Sequence, residues 1–483
     1  MSTYDNYPAR DLVNKWRLVK KDPDAEISEP VEPIVFWVEK STPEEIKPMV
    51  VKGIEAWNLA FERAGFKNAI VAKIQADDAE WDAGDVQYNV VRWASFPEPS
   101  YSGYGPSIAN PRTGELIAAD IVQTFAAIKR GYNLRKLWGW TPENDPLEQW
   151  IIALTIHEVG HTIGLRHNFS ASYLFGPKEV HDKSVTGNAT ISSIMDYDPI
   201  NIAPPGLEQG MYFPIEPGEY DKWAIEFAYK PNLSDVEREQ LLRLSVQDPY
   251  VYGPDEDAMG SPGTNIDPRA KRYDMSNDVV TYTADRFIVL DQKISELPDI
   301  YSDEGETKQD MTSTFYSLVR EKGRFMDAVS RQIGGVYVTK LVNGQDEFDA
   351  YDPVPYEKQK EAMELINTKF LANGAWDFDP EILRNLQREK RAAGSYRRDS
   401  NEDPQLHDMV IGMQGRVLAH ILNPTVMTRL VDSSEYGNEY LPGEVLDDLF
   451  NGIFVKGETP DTYKRNLQSC LLYTSPSPRD LST

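Results

Sequence analysis

The chain has 483 residues, enough for about two or three domains of ordinary size. It has 77 acidic against 50 basic side chains, and the resulting net charge of −27 repels phosphate backbones, which argues against nucleic acid as a partner. No run of about 18 apolar residues occurs, so the sequence predicts no transmembrane helix.

The first residues predict an extended lead-in followed by a buried strand. Residues 1–32 are polar and charged, and they end in "ISEPVEP", whose prolines disfavour a helix. The next segment, "PIVFWVEK", has the β-branched and aromatic residues typical of a buried strand. The start of the chain does not have the basic, apolar and small-residue regions of a signal peptide.

A helix and three further strands are predicted next. Residues 46–64 predict one amphipathic helix that ends before Gly65, because large apolar residues recur at intervals of three and four. The strands are predicted at 69–74, 88–94 and 115–122. This succession, followed by a helix with histidines, is typical of an α+β fold with a mixed, twisted sheet.

The sequence pattern changes after residue 231, where segments of helical periodicity alternate with loops rich in proline and aspartate. We therefore predict a lead-in at 1–32, an α+β domain at 33–231, a mostly α-helical domain at 232–469 and a tail at 470–483. The tail contains the only cysteine, Cys470, and resembles the translation of a sequencing-library adapter. It is predicted to be an artefact, with the natural ends of the chain missing.

Three of the six histidines lie in "HEVGHTIGLRH", on a helix predicted to begin near Pro146. His157 and His161 are four residues apart and so lie one turn apart on one helix face, where both can reach the same ion. Gly164 is predicted to end the helix in the left-handed conformation, which turns the chain and returns His167 as a third ligand. Three protein ligands and one open position are typical of a catalytic zinc site.

Glu158 supplies the base that such a site needs. It is rotated by about 100° from His157, so it need not bind the metal and can instead face a water. Zinc would polarise the scissile carbonyl and acidify the water, while Glu158 would accept the proton and pass it to the leaving amine. A bare HExxH also occurs in helices with two packed histidines, but the added Gly164 and His167 favour zinc.

Together with "SIMDY" at 193–197, the histidine motif resembles the metzincin metalloproteases, whose signature is HExxHxxGxxH followed by a methionine turn. "NPRTGELIAADI", "HEVGHTIGLRHNFSAS" and "YDKWAIEFAYKP" more closely resemble a bacterial family of zinc-dependent metalloproteases with a domain of unknown function. The resemblance implies a metzincin-like catalytic domain in which Met195 forms an apolar floor beneath the three imidazoles. It also implies that Tyr197 supports the oxyanion, as in astacin-like and serralysin-like members, although a tyrosine in a turn can instead only pack its ring.

The resemblance further implies how substrate binds and where the protein acts. In metzincins the strand before the active-site helix edges the cleft and pairs antiparallel with the substrate. The corresponding edge strand is predicted to include Leu116, Ile117, Ala118, Ala119 and Asp120, and the alternative is an ordinary strand of the sheet with no role in binding. Because family members have export signals, an extracytoplasmic location is predicted, whether periplasmic, outer-surface or secreted.

The sequence therefore predicts a metzincin-type zinc endopeptidase with one catalytic zinc ion and a protein or peptide substrate. Two alternatives stay open: a non-catalytic protein that binds zinc or peptide, and a zinc hydrolase of a non-peptide amide. The presence of Glu158 favours an enzyme.

Calcium has no support, since the aspartates of 264–278 do not match EF-hand spacing. His181, in a polar segment, is predicted to be solvated, and the oligomeric state is not predicted.

Overall fold

The computed structural model of the chain describes residues 11–95, 101–139, 146–305, 307–345, 347–388 and 403–474. Two compact units make up the chain. The first comprises Met1–Asp196 and Gln209–Pro254, and the second comprises Tyr197–Glu208 and Asp255–Thr483. Most of the tail predicted as an artefact lies outside the described residues, and the domain boundary at residue 232 stays a prediction.

The first unit contains a mixed six-stranded sheet with the order β2-β1-β3-β6-β4, in which β5 also pairs with β6. The strands are β1 (Ile34–Val38), β2 (Ile70–Ile74), β3 (Asn89–Ala94), β4 (Gly103–Tyr104), β5 (Ser107–Ala109) and β6 (Leu116–Thr124). Parallel pairing joins β1 to β2, β1 to β3 and β3 to β6, whereas β4 and β5 run antiparallel to β6. The predicted mixed sheet is confirmed, and the four predicted strands correspond to β1, β2, β3 and β6.

β6 has neighbours on both sides. On one side residues 120–124 pair with β3, while on the other side β5 pairs with residues 116–119 and β4 pairs with residues 122–123. The prediction that residues 116–120 form the edge of the sheet is therefore wrong. β4 and β5 occupy the outer position. They were not predicted because the glycines and the proline of "GYGPS" interrupt the alternation of apolar and polar residues that identifies a strand.

The helices in the described part of the first unit are α1 (Lys47–Glu55), α2 (Asn58–Arg63), α3 (Phe125–Trp138), α4 (Pro146–Thr162), α5 (Lys183–Thr186), α6 (Glu219–Tyr229) and α7 (Asp235–Arg243). The single helix predicted over 46–64 is thus two helices. The chain tightens between them, where the N–H of Leu59 bonds the carbonyl of Ala56, three residues back, at 3.2 Å. The apolar face is retained across the break, since Ile54, Trp57 and Phe61 are fully buried.

The described part of the second unit is mostly helical, as predicted, with one short antiparallel pair of strands. Its elements are α8 (Asp255–Ala258), α9 (Val279–Ile300), α10 (Lys308–Ser330), β7 (Val336–Val338), β8 (Tyr351–Pro353), α11 (Tyr356–Lys369), α12 (Pro380–Arg384), α13 (Leu406–Ile421), α14 (Pro424–Asp432), α15 (Pro442–Ile453) and α16 (Thr462–Thr474). No helix in the described part of the chain combines the length and the apolar character needed to cross a bilayer.

Candidate metal centre

Two of the motif's histidines lie on α4, a helix buried on nearly all sides. Fourteen of its 17 residues are buried. The indole N–H of Trp57 donates to the carbonyl of Ile156 at 2.9 Å, and the Gln123 amide on β6 donates to the hydroxyl of Thr155 at 2.7 Å. Because the helix is packed in this way against Trp57, which lies between α1 and α2, and against the sheet, the side chains that project from it have fixed positions.

The C-terminal end of α4 is capped by side chains from distant parts of the first unit. Trp16 donates from its indole nitrogen to the carbonyl of Thr162 at 2.8 Å. The hydroxyl of Tyr229 on α6 donates to the carbonyl of Ile163 at 2.7 Å. These bonds satisfy carbonyls that the end of a helix leaves without intrahelical partners, and they hold the last turn in place.

Gly164 turns the chain immediately after α4. Its φ is +108°, and a Cβ at this position would lie 2.0 Å from the carbonyl oxygen of Asn14, so both backbone conformation and space require glycine. His167 follows the turn. The backbone N–H of Asn168 then donates to the carbonyl of Met195 at 3.1 Å, which ties the segment after the helix to the "SIMDY" turn.

His157, His161 and His167 lie together, and their potential ligand nitrogens are all within 4.8 Å of one another. Nδ1 of His157 lies 2.8 Å from the carbonyl oxygen of Ile194, and Nδ1 of His161 lies 3.2 Å from that of Leu165. When Nδ1 donates to a carbonyl, Nε2 keeps its lone pair for a metal. Burial lowers the pKa of His157 well below its usual value, which favours the neutral imidazole that a metal requires.

This donor set fits zinc. Three imidazoles with room for one further ligand are typical of catalytic zinc sites, whereas calcium and magnesium prefer oxygen ligands. Within the described ranges, these histidines form the one group of three or more potential ligands close enough to hold an ion.

Met195 is fully buried and lies against α4. A Cβ at Gly160 would be 2.3 Å from the Met195 sulfur and 3.0 Å from the Trp57 ring. Gly160 lies between His157 and His161 in the chain. Glycine at this position therefore lets the sulfur approach the helix backbone between the two histidines.

A buried carboxylate on α6 holds the turn that precedes Met195. Asp221 accepts hydrogen bonds from the Ser193 hydroxyl at 2.6 Å, the Ile194 N–H at 2.8 Å and the Gly218 N–H at 2.9 Å. The carbonyl of the same Ile194 is the partner of His157 Nδ1. Asp221 therefore orients the His157 imidazole through the backbone of Ile194, whose N–H bonds the carboxylate and whose carbonyl lies at His157 Nδ1.

Glu158 is only 6% exposed and lies beneath β4. A Cβ at Gly103 would be 2.5 Å from its Oε1, and a Cβ at Gly105 would be 2.6 Å from its carbonyl oxygen. The two glycines thus let the backbone of β4 and of the residue that follows it lie directly against the glutamate. In the zinc-free chain, burial raises the pKa of Glu158 from 4.5 to about 8.

Gly103→Ala is expected to lower kcat/KM for peptide hydrolysis by about tenfold or more, because the new methyl displaces the Glu158 carboxylate and small misplacements of catalytic groups are costly. Zinc content should not change. Gly443→Ala is the matched control, since nothing lies within 4 Å of a Cβ at Gly443. Equal turnover of the Gly103 variant and the control would contradict this account of how Glu158 is positioned.

Two further predictions from the sequence concern Tyr197 and His181. Tyr197 belongs to the second unit, where its ring stacks on Tyr273 with centroids 6.4 Å apart, and its catalytic role stays a prediction. The prediction that His181 is solvated is wrong, because this residue is 3% exposed. It lies in a 3-10 helix whose end packs so closely that a Cβ at Gly210 would be 2.3 Å from the His181 carbonyl oxygen.

Sequence reasoning missed Gly103, Gly105, Gly160 and Asp221. A glycine inside a helix costs about 1 kcal/mol relative to alanine, so Gly160 in "HEVGH" is itself an indication of close packing. The alternating glycines of "GYG" give a weaker indication of the same kind. Nothing in the sequence links Asp221 to the histidines, because that contact depends on how α6 packs.

A protein family described as Met-zincin matches residues 143–460 of the chain, well over half of its length. The chain belongs to the Met-zincin family. The matched range contains the three histidines, the "SIMDY" turn and most of the second unit, so the metzincin resemblance is confirmed. Membership implies a zinc metallopeptidase type of function. No curated protein and no solved structure matches this Met-zincin.

Proposed function

We propose that this Met-zincin is a zinc endopeptidase that cleaves proteins or peptides. The main support is the convergence of three histidine nitrogens within 4.8 Å in the family's motif, beside the buried carboxylate of Glu158. His157, His161 and His167 would hold a single zinc ion, above a floor formed by Met195. Bound zinc would supply Lewis acidity, which polarises a carbonyl and lowers the pKa of water.

Glu158 would perform the proton transfers. Its carboxylate would accept a proton from the attacking water and then give it to the amine that leaves, so one group serves as base and acid in turn. The backbone of β4 covers the carboxylate and excludes bulk water from it, and electrostatic interactions are stronger in such an environment.

β4 also offers a place for the substrate. It is the last strand in the order of the sheet and lies directly against Glu158, whereas β6, the strand first predicted for this role, is one position further in. We propose that an extended peptide adds to the outer side of β4 by main-chain hydrogen bonds. Tyr104, which is 60% exposed, is available for contact with substrate side chains.

The direct test combines metal analysis with a cleavage assay on the purified chain. We expect about one zinc per chain and cleavage of casein at internal peptide bonds, with activity lost on chelation and restored by zinc. A protein that binds zinc but cleaves neither casein nor a peptide library would be a binding protein instead. Turnover of cell-wall amides without peptide cleavage would identify the other alternative.

Tyr197→Phe is expected to lower kcat by about 10²–10³-fold, the usual effect of removing one oxyanion donor, while zinc content and KM change little. Tyr351→Phe, at an exposed tyrosine of β8 that has no role in this proposal, removes the same hydroxyl and serves as the matched control. Unchanged kcat in Tyr197→Phe would remove this residue from the mechanism and leave the zinc ligands unaffected.

The extracytoplasmic location stays a prediction from the family resemblance.

A further inference from the structure

A groove in the second unit concentrates positive charge. It has a volume of about 630 Å³ and is lined by four arginines: Arg320 and Arg324 on α10, Arg388 after α12, and Arg416 on α13. Asp408 is the single acidic residue in its lining. The groove is therefore cationic in a chain whose formal net charge is −27, so its composition is opposite to that of the protein as a whole.

Several other cations of this unit are paired with carboxylates. Lys271 lies 2.6 Å from Asp327, and Arg286 lies 2.6 Å from Glu321. In contrast, no carboxylate of the described residues lies within 4.0 Å of a guanidinium nitrogen of the four groove arginines. Charges of one sign that are gathered in a concave surface without counter-charges attract ligands of the opposite sign.

Two of these arginines lie over one aromatic ring. The guanidinium carbon of Arg388 lies 5.0 Å from the centroid of Tyr316, and that of Arg320 lies 5.6 Å from it. Arg324 is similarly placed over Tyr273, at 5.0 Å. Stacking on an aromatic ring restricts the guanidinium plane, so less side-chain entropy is lost when the group binds a ligand.

Part of the groove lining is apolar and closely packed. A Cβ at Gly323 would be 2.6 Å from the sulfur of Met413, so α10 and α13 approach closely at this point of the lining. Met409 and Met413 both contribute to the lining. Thioether side chains adapt to the shape of aliphatic groups, which suits a ligand that has methylenes as well as charges.

We propose that this groove binds an acidic polypeptide segment of a partner protein, whose carboxylates pair with the arginines. The planar guanidinium matches a carboxylate in two-point geometry, and the methionines match the methylenes of glutamate. Asp408 opposes ligands of dense charge such as polyphosphate, and the net charge of the chain opposes nucleic acids and anionic membranes. The site requires no turnover at the histidines.

The test measures binding to the full zinc-loaded chain with Glu158→Gln, so that the probe is not cut. The probe is a short fluorescein-labelled peptide rich in glutamate, and its counterpart has glutamine at the same positions. We expect the glutamate peptide to bind in fluorescence anisotropy, the glutamine peptide to bind at least about tenfold more weakly, and added salt to weaken the binding of the glutamate peptide.

Arg320→Ala with Arg416→Ala removes one arginine from each helix and is expected to weaken binding about tenfold or more. Arg384→Ala is the control, since this exposed arginine of α12 does not line the groove. The single variants Arg324→Gln and Arg416→Gln, each checked by circular dichroism, repeat the test with smaller changes. They should each weaken binding several-fold.

Three results would overturn the proposal. One is equal affinity for the glutamate and glutamine peptides, and another is unchanged binding in folded groove variants. The third is binding of inorganic polyphosphate or phosphatidylserine vesicles, lost in the same variants, without binding of the glutamate peptide. That last result would assign the groove to phosphate groups. None of these outcomes depends on proteolysis, so they are independent of the proposed endopeptidase activity.

Discussion

Glu158→Gln is expected to lower kcat by about 10²–10⁴-fold, because the amide can neither accept the proton of the attacking water nor deliver it to the leaving amine. Zinc content should stay the same, since the three histidines are unchanged. The measurement is initial-rate cleavage of a peptide that the parent protein cuts, together with metal analysis of the same preparations. Loss of activity with retained zinc separates the role of the base from that of the ligands.

Glu158→Gln is also expected to stabilise the zinc-free chain, although it lowers activity. Burial raises the pKa of Glu158 to about 8, so the folded zinc-free chain holds a proton that the unfolded chain releases above 4.5. Stability from this group is complete below the lower value and is lost as the pH rises towards the higher one. Zinc-free Glu158→Gln should therefore melt at a higher temperature than the parent, by a difference that grows between about pH 5 and 8.

Glu148→Gln on the same helix is the control for both measurements. Glu148 forms an ion pair with Lys52, is partly exposed and lies outside the histidine motif, so its replacement should leave turnover near the parent value. An active Glu158→Gln variant would refute the proposed role of this residue. A melting temperature with the same pH dependence in parent and variant would refute the burial effect.

Asp221→Ala is expected to lower the free energy of unfolding of the first unit by roughly 2–4 kcal/mol and to accelerate zinc loss. The variant leaves the Ser193 hydroxyl and the N–H groups of Ile194 and Gly218 without their buried acceptor. The Ile194 carbonyl then no longer has a fixed position for the His157 ring. Chemical denaturation of the zinc-free chain and zinc transfer to a chromophoric chelator measure the two effects.

Asp221→Asn and Asp235→Ala complete this experiment. Asparagine retains one acceptor oxygen and should give an intermediate loss, whereas Asp235 is fully exposed on α7 and its replacement should change neither quantity. Burial raises the pKa of Asp221 to about 6 against the opposing effect of its hydrogen bonds. Parent-like zinc transfer in a destabilised Asp221→Ala would mean that this carboxylate supports the fold without orienting His157.

The fold could be predicted from the sequence where a pattern is local. β1, β2, β3 and β6 are short segments rich in β-branched and other apolar residues, and α4 has apolar and histidine positions at intervals of three and four. The residues between α1 and α2 fit the same helical spacing, so the break near Trp57 could not be read from it. β4 and β5 could not be predicted from the sequence because they are short and lie in a segment interrupted by glycine and proline. Their pairing with β6 joins segments that only the folded sheet brings together.

The amino-acid sequence by itself determined the metal chemistry, since the identity and spacing of three histidines, one glutamate and one glycine act within a single helix and the turn that follows. The tertiary structure alone decided what surrounds that chemistry. The glycine strand over Glu158, the sulfur against Gly160 and the bonds from Asp221 all join segments far apart in the chain. Close approach of this kind depends on how helices and strands pack, and no spacing of residue types encodes it locally.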